Sequence, residues 1–329
     1  MIQRRWGLAG ALAAALGFVT MAAPASAEPA MTFDPEDFGK VDLPLRESVG
    51  AAVSAAFARN NVYEPIGGLV DGDPLRRTAR SVVRLDILMS DETGKEFAST
   101  CTAWLVAPEL LLTNNHCIPG TEGTAQRAIA LFDYLRQDPG GTTQVPVDVT
   151  PLANDSELDY ALVRMDGPAP QGVEPLGVSP REVGPGERLM LIHHPLGQPK
   201  MMTRFQCFVH PDMPPHEVYV PHVCDTEPGT SGAPVFDAAG VPVALHHRGG
   251  LNPNDANSFN LATAMHAVME RHPDLLIARS AGGGVTDAPL PTPADAVAVG
   301  DGSGGMNAII GEESAPGGAD GLNSLIQGE

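Results

Sequence analysis

Residues 224–236 read CDTEPGTSGAPVF, and the order of signals in this stretch limits the fold. Gly229 and Gly232 bracket Thr230 and Ser231, and a strand-like apolar run starts directly afterwards at Ala233. Glycine on both sides lets the backbone turn tightly round a serine. In such a turn the amides of Gly229 and Ser231 can face one point, as an oxyanion hole requires. A flexible turn that happens to contain a serine fits the same residues.

Working outward from this turn, short apolar runs recur, bounded by Gly, Pro, Asn and Asp. Downstream is 241–245. Upstream are 103–106, 110–113, 128–132, 145–149, 160–165, 189–192 and 218–220. Before them Val83, Leu85, Ile87 and Met89 alternate with Arg84, Asp86 and Leu88, the period of a strand with one buried face. Many short strands at close spacing predict an all-β sandwich or barrel. A single helix is expected, last in the domain, where Met265, Val268, Met269 and His272 fall at i, i+3, i+4 and i+7. No repeat appears at a solenoid or propeller period.

Two further segments carry chemistry. CTAWLVAPELLLTNNHC (101–117) ends a short apolar strand at His116, and NDSELDYALVRM (154–165) puts Asp159 at the mouth of a fully apolar strand. Taken alone, a His-Cys pair is weak and a single Asp fits a surface turn, as Asp155 nearby shows. Together with Ser231 they fill three roles. A serine hydroxyl needs a neutral imidazole to take its proton, and the imidazole needs a carboxylate to hold its tautomer and stabilise the imidazolium. Such a base implies activity rising through about pH 6–7.5. The order here is His, Asp, Ser. An α/β-hydrolase runs Ser, Asp, His round a Gly-x-Ser-x-Gly elbow, and Ala233 stands where that elbow has its last glycine.

From about Thr100 to Ala278 the chain resembles the trypsin-like peptidases, particularly the bacterial V8-like glutamyl endopeptidases. The resemblance rests on Cys101–Val106, Asn115-His116-Cys117, Leu158–Leu162, Asp225-Thr226, Ser231–Phe236 and Ala244-Leu245-His246. It implies an all-β fold of two packed six-stranded antiparallel barrels with a C-terminal helix. The site would lie in the cleft between them. It further implies a serine endopeptidase with His116, Asp159 and Ser231 as triad, the Gly229 and Ser231 amides as oxyanion hole, and no cofactor. Thr226, five residues before the serine, and His246 would line the primary pocket, offering a hydroxyl and an imidazole N–H to a substrate carboxylate. An acidic residue before the cut is then the expected preference. An apolar or aromatic one fits the His246-His247 doublet equally.

Two residues depart from the family pattern. Animal trypsins place an Asp directly before the serine, for an ion pair with a newly cut N-terminus. Here that residue is Thr230, so that ion pair is not available. The sequence His246-His247-Arg248 makes the pocket strand bulkier and more polar than a glutamyl endopeptidase needs. A rival from another class is a catalytically idle homologue that binds a protein.

The ends of the chain set its expected context. Residues 1–27 have Arg4 and Arg5, an apolar run and Ala25-Ser26-Ala27, the form of a secretory signal peptide cleaved after Ala27. Residues 28–76 read as a pro-segment or N-terminal extension, with an ordinary packed arm as the alternative, and 77–280 as the peptidase domain. Residues 281–329, rich in Gly, Ala, Pro and Asp and lacking Lys and Arg, are expected to be a disordered acidic tail. A formal net charge of −20 argues against nucleic acid and anionic membranes as partners. A protein or peptide substrate and a monomer are expected, secreted or periplasmic. Four cysteines in an exported chain point to disulfides. Cys101 with Cys117 and Cys207 with Cys224 is the favoured pairing because the bridges would bracket the His116 and Ser231 loops, but the sequence leaves the other two pairings open. No Cys-x-x-Cys or His-Glu-x-x-His occurs, so no metal is expected. His193, His194, His210, His216 and His222 are irregularly spaced without an acidic set and are expected at surface or loop positions.

Overall fold

A computed structural model describes residues 31–41, 62–137, 140–252 and 254–273. The expected signal peptide, residues 28–30 and 42–61 of the expected pro-segment or extension, and the acidic tail lie outside the described residues. The alternating segments form two antiparallel sheets. The first contains β1 (Met31–Phe33), β3 (Val82–Ser90), β4 (Glu96–Ala107), β5 (Leu110–Thr113), β6 (Thr124–Phe132), β7 (Thr143–Val147), β8 (Ala153–Asp155) and β9 (Tyr160–Arg164). The second contains β2 (Glu64–Pro65), β10 (Met190–His193), β11 (Met201–Thr203), β12 (Tyr219–His222), β13 (Pro234–Phe236), β14 (Pro242–Arg248) and β15 (Asn260–Ala264).

The first sheet runs β7-β6-β3-β4-β5-β9-β8, with β1 added on β4; the second runs β12-β15-β14-β13-β10-β11-β2. Each sheet curls back on itself. Asp148 N–H to Arg164 C=O and Asp166 N–H to Pro146 C=O, both 2.8 Å, join the end of β7 to β9. In the second sheet the segment around Cys207 and Phe208 ties β10 to β12, through Leu189 N–H to Cys207 C=O (2.9 Å) and Val223 N–H to Phe208 C=O (3.0 Å). Each sheet encloses its own apolar core, one built round Leu85, Ile87, Leu105, Leu111 and Phe132, the other round Leu191, Val209, Val235 and Val243. This is the chymotrypsin-like two-barrel class. The sheets hold eight and seven strands rather than six each, because β1 and β2 come from the N-terminal segment and β8 is a short added edge.

Helix α2 (Met265–Arg271) closes the domain as its apolar spacing predicts, with Met265 and Val268 buried. Helix α1 (Pro74–Ala79) is not legible from periodicity: it is six residues long and has no apolar stripe. Local chemistry makes it, with the Asp73 carboxylate accepting from Leu75 N–H at 2.8 Å and Pro74 in the first turn. The helix runs through residues 76 and 77.

Strand β3 corrects the expectation of one buried face. Arg84 and Asp86, on the face expected to meet water, are 1% and 2% exposed and form a bidentate ion pair at 2.7 and 2.8 Å. Arg84 also donates to Gly197 C=O at 2.9 Å and lies over the Tyr134 ring. That face is covered by the N-terminal segment, whose Met31 and Phe33 pack with Ala98 and Leu196. Alternation was right about geometry and wrong about solvent, because a second layer lies on the outside of the sheet.

Candidate active site

His116 follows β5, held by the disulfide Cys101–Cys117. Its ring Nδ1 stands 2.7 Å from Asp159 Oδ2, and its backbone N–H donates to Asp159 Oδ1 at 2.9 Å. Asp159 adopts φ +50°, a left-handed conformation that aspartate tolerates better than most residues, directly before β9. Three contacts fix this corner: Asn114 Nδ2 to Asp159 C=O (2.7 Å), Thr263 Oγ1 to Leu158 C=O (2.6 Å) and Tyr219 Oη to Glu157 C=O (2.7 Å). The last two come from the second barrel, so the carboxylate of one barrel is aligned by the other.

Burial pushes the Asp159 carboxyl up, but the hydrogen bonds from His116 and the nearby His247 ring outweigh it and hold the group well below the usual carboxylate range. It is therefore an ionised acceptor. With its proton on Nδ1 facing Asp159, the His116 imidazole presents a lone pair at Nε2. That atom is buried and without a partner among the described residues, as is Ser231 Oγ. The two are not hydrogen-bonded to each other here.

Ser231 is tied to the first barrel by Thr102 of β4. Thr102 N–H donates to Ser231 C=O at 2.8 Å, and its hydroxyl donates to Gly229 C=O at 2.8 Å while accepting from His194 N–H at 3.1 Å. The turn Glu227-Pro228-Gly229-Thr230 is closed by Thr230 N–H to Glu227 C=O at 3.0 Å. Pro228 second and Gly229 third, at φ +94°, make the type II pattern. A Cβ on Gly229 would lie 2.7 Å from His194 O, and one on Gly232 (φ +86°) would drive into the Thr102 carbonyl, so both positions require glycine. The amides of Gly229 and Ser231 donate to no acceptor among the described residues.

Thr226 Oγ1 accepts from Asn260 Nδ2 at 3.0 Å, so its own proton is left to donate. Asn260 also donates to Cys224 C=O at 2.7 Å, linking Thr226 to the disulfide Cys207–Cys224. His246 is fully buried and meets His222 at 3.1 Å, Nδ1 to Nε2. Cys224 N–H donates to His222 Nδ1, which puts the His222 proton on Nε2 and directs it to His246; the His246 proton is then on Nε2. Burial holds both imidazoles well below the ordinary histidine value, and so neutral.

Several site residues were missed. His193, His194, His210 and His222, expected at surface or loop positions, are each at most 1% exposed; His194 and His210 do lie in loops, but buried ones, and His193 and His222 lie in strands. Histidine composition and spacing do not reveal this: the His193, His210 and His222 rings each meet a partner from a distant segment, while His194 Nδ1 meets Gln198 C=O and its Nε2 is buried without a partner among the described residues. His247, adjacent to His246, points the other way along the strand: its Nδ1 is 3.6 Å from Asp159 Oδ2 and its ring stacks on Tyr219. Strand alternation applied to the His246-His247 doublet was the available signal. Cys101, His116 and Cys117 also lie close enough to suggest a metal cluster. Both sulfurs are bonded to each other and His116 Nδ1 is engaged by Asp159, so the donors are already in use.

The sequence profile of the trypsin-like peptidase domain matches residues 101–245. The chain is 30% identical over 212 residues to the secreted RxLR effector protein 73 of Plasmopara viticola, covering 57% of this chain and 50% of that protein. It is 27% identical over 229 residues to the uncharacterized protein y4fB of Sinorhizobium fredii, covering 62% and 34%. The chain thus spans half or less of the length of these curated relatives. Among solved structures, the active form of the Rv3671c protease of M. tuberculosis is similar at 18% identity and TM-score 0.47, covering 68% of this chain and 91% of that one. Residues 101–245 therefore match a trypsin-like peptidase domain, set in a chymotrypsin-like pair of antiparallel sheets.

Proposed function

We propose that the chain is an exported serine endopeptidase that acts as a monomer on protein or peptide substrates. The observation that carries this reading is the buried His116–Asp159 couple with its Nε2 unpartnered among the described residues, in a chain that also buries an unpartnered Ser231 hydroxyl on a glycine-bracketed turn. Ser231 Oγ attacks the scissile carbonyl carbon as His116 Nε2 takes its proton. The Gly229 and Ser231 amides hold the resulting oxyanion, and His116 returns the proton to the leaving amine. Water then attacks the acyl-enzyme by the same route, releasing the acid. No cofactor enters the cycle. Export is supported by the leader-like residues 1–27, by two disulfides, and by the name of a relative described as secreted. Incubation with a fluorophosphonate tests the mechanism: labelling of Ser231 and its loss in Ser231→Ala are expected. An unlabelled but folded protein, the behaviour of an idle homologue, overturns it.

For specificity the same site favours an acidic residue before the cut, in the manner of the V8-like group. A buried carboxylate needs donors, and the Thr226 hydroxyl and the Nε2–H tautomer of His246 are the groups proposed to supply them without full positive charge. Peptides differing only as Glu or Gln before the cut should differ by a factor of about ten or more. Equal rates, or a preference for Phe, Leu or Arg, remove the acidic preference and leave the peptidase reading intact.

A further inference from the structure

We infer that Thr230, His193 and Thr203 form a hydrogen-bonded brace that positions the oxyanion turn, replacing the ion pair that a carboxylate before the serine would make. The inference rests on the serine-peptidase reading for its kinetic consequence and on geometry for its existence. Thr230 Oγ1 lies 2.8 Å from His193 Nδ1, and His193 Nε2 lies 3.0 Å from Thr203 Oγ1. All three residues are fully buried. Thr230 Oγ1 also accepts from Glu227 N–H at 3.3 Å, across the turn it closes. In this brace the Thr230 hydroxyl accepts from Glu227 N–H and donates into the Nδ1 lone pair, and the His193 proton sits on Nε2 and donates to Thr203.

Thr230 stands between the two amides proposed to hold the oxyanion. Its N–H closes the Glu227 turn and its C=O accepts from Ala233 N–H at 2.9 Å, so a rotation at this residue displaces both Gly229 and Ser231. His193 is itself held on rigid elements. It ends β10, paired in register with Met201 of β11, and Thr203 belongs to the same neighbouring strand. Tyr63, from the segment that adds β2 to this sheet, closes edge-on against the His193 ring at 5.5 Å. A neutral brace of this kind needs no liberated amino terminus to bring the turn into shape. Burial pushes His193 down to about 3, so the imidazole keeps the lone pair that Thr230 uses at any pH where His116 can act as a base.

The test uses the full chain with Thr230→Val, which removes the hydroxyl at constant shape, and Thr230→Ser, which keeps it. The expected result is a loss of kcat of about 10- to 100-fold in Thr230→Val with KM changed less than about threefold, since a misplaced oxyanion donor acts on the transition state. Thr230→Ser should recover most of that loss. A Thr230→Val enzyme within threefold of wild type in kcat overturns the brace. Imidazole nitrogen-15 spectra of the wild type decide it independently of turnover: His193 should be the Nε2–H tautomer with Nδ1 as a hydrogen-bonded acceptor. The opposite tautomer, or an Nδ1 signal unaffected in folded Thr230→Val, also overturns it. If the wild type neither cleaves nor labels at Ser231, the peptidase reading falls while the spectra still settle the brace.

Discussion

Thr102 shows how much one buried hydroxyl can organise. It clasps Gly229 C=O and His194 N–H while its own N–H holds Ser231 C=O, so one residue of the first barrel fixes the turn of the second. Thr102→Val keeps the shape and strips the partners of a buried carbonyl and a buried amide, at about 1–3 kcal/mol. Activity should fall mainly in kcat, and the urea midpoint should drop; a variant unchanged in both excludes the clasp. Arg84 and Asp86 follow a different rule, because charges buried together are costly to separate. Arg84→Met alone should destabilise by about 3–5 kcal/mol, whereas Arg84→Met with Asp86→Leu should recover most of it. Equilibrium unfolding of the single and double variants checks the sign, and a double variant no better than the single one refutes it.

Among the elements, the short N-terminal strands matter more than their length suggests. Strand β1 pairs residue by residue with β4, and Phe33 sits almost wholly buried against Gly197 and Leu196. The loop it supports carries Leu196, whose N–H donates to Pro228 C=O at 2.6 Å, so β1 backs the proposed oxyanion turn from behind. Phe33→Ala should cost about 3–5 kcal/mol by cavity formation and lower the rate of Ser231 labelling. A variant that loses stability but labels at the wild-type rate would confine β1 to a packing role. The two disulfides, spanning 16 and 17 residues, should contribute about 3 kcal/mol each. Reduction in mild urea followed by circular dichroism measures their sum.

At the scale of the whole molecule, four neutral imidazoles enclosed in the second barrel set an acid limit. Burial holds His193 at about 3 and His194, His222 and His246 well below the ordinary histidine value of 6.5. The unfolded chain binds these protons and the native chain does not, so stability is greatest above about pH 6.5 and falls as the pH drops toward 3. His193 alone contributes a loss of about 2 kcal/mol between neutrality and pH 5. Asp159 acts in the same direction in a lower window: its depressed value gives stability above about pH 3.9 that disappears on further acidification. Relief of the −20 charge opposes this only where carboxylates titrate, below about pH 4.5, so between pH 6.5 and 5 the histidines should decide the sign. The urea midpoint should therefore be clearly lower at pH 5 than at pH 7; a flat or rising midpoint would show that the imidazoles are not neutral in the folded state.

Local signals determined a good part of this protein. A period-two pattern placed β3, and short continuous apolar runs bounded by turn residues placed β5 and β9, each within a residue or so, because strand geometry and burial write themselves directly into the sequence. Gly229 and Gly232 marked their turn for an equally local reason: no other residue fits those backbone angles and close approaches. His116 and Asp159 were legible as types in order, and the contact between them spans 43 positions. What only the tertiary structure decided was partnership. The strands β8, β11 and β15 are short and partly polar, and pairing with neighbours rather than propensity creates them. The burial of Arg84 and Asp86, the inward histidines and the setting of Thr230 against His193 likewise depend on groups brought together from distant segments. A polar side chain is read as exposed from its own chemistry, and it can be buried only when another part of the chain supplies its hydrogen bonds.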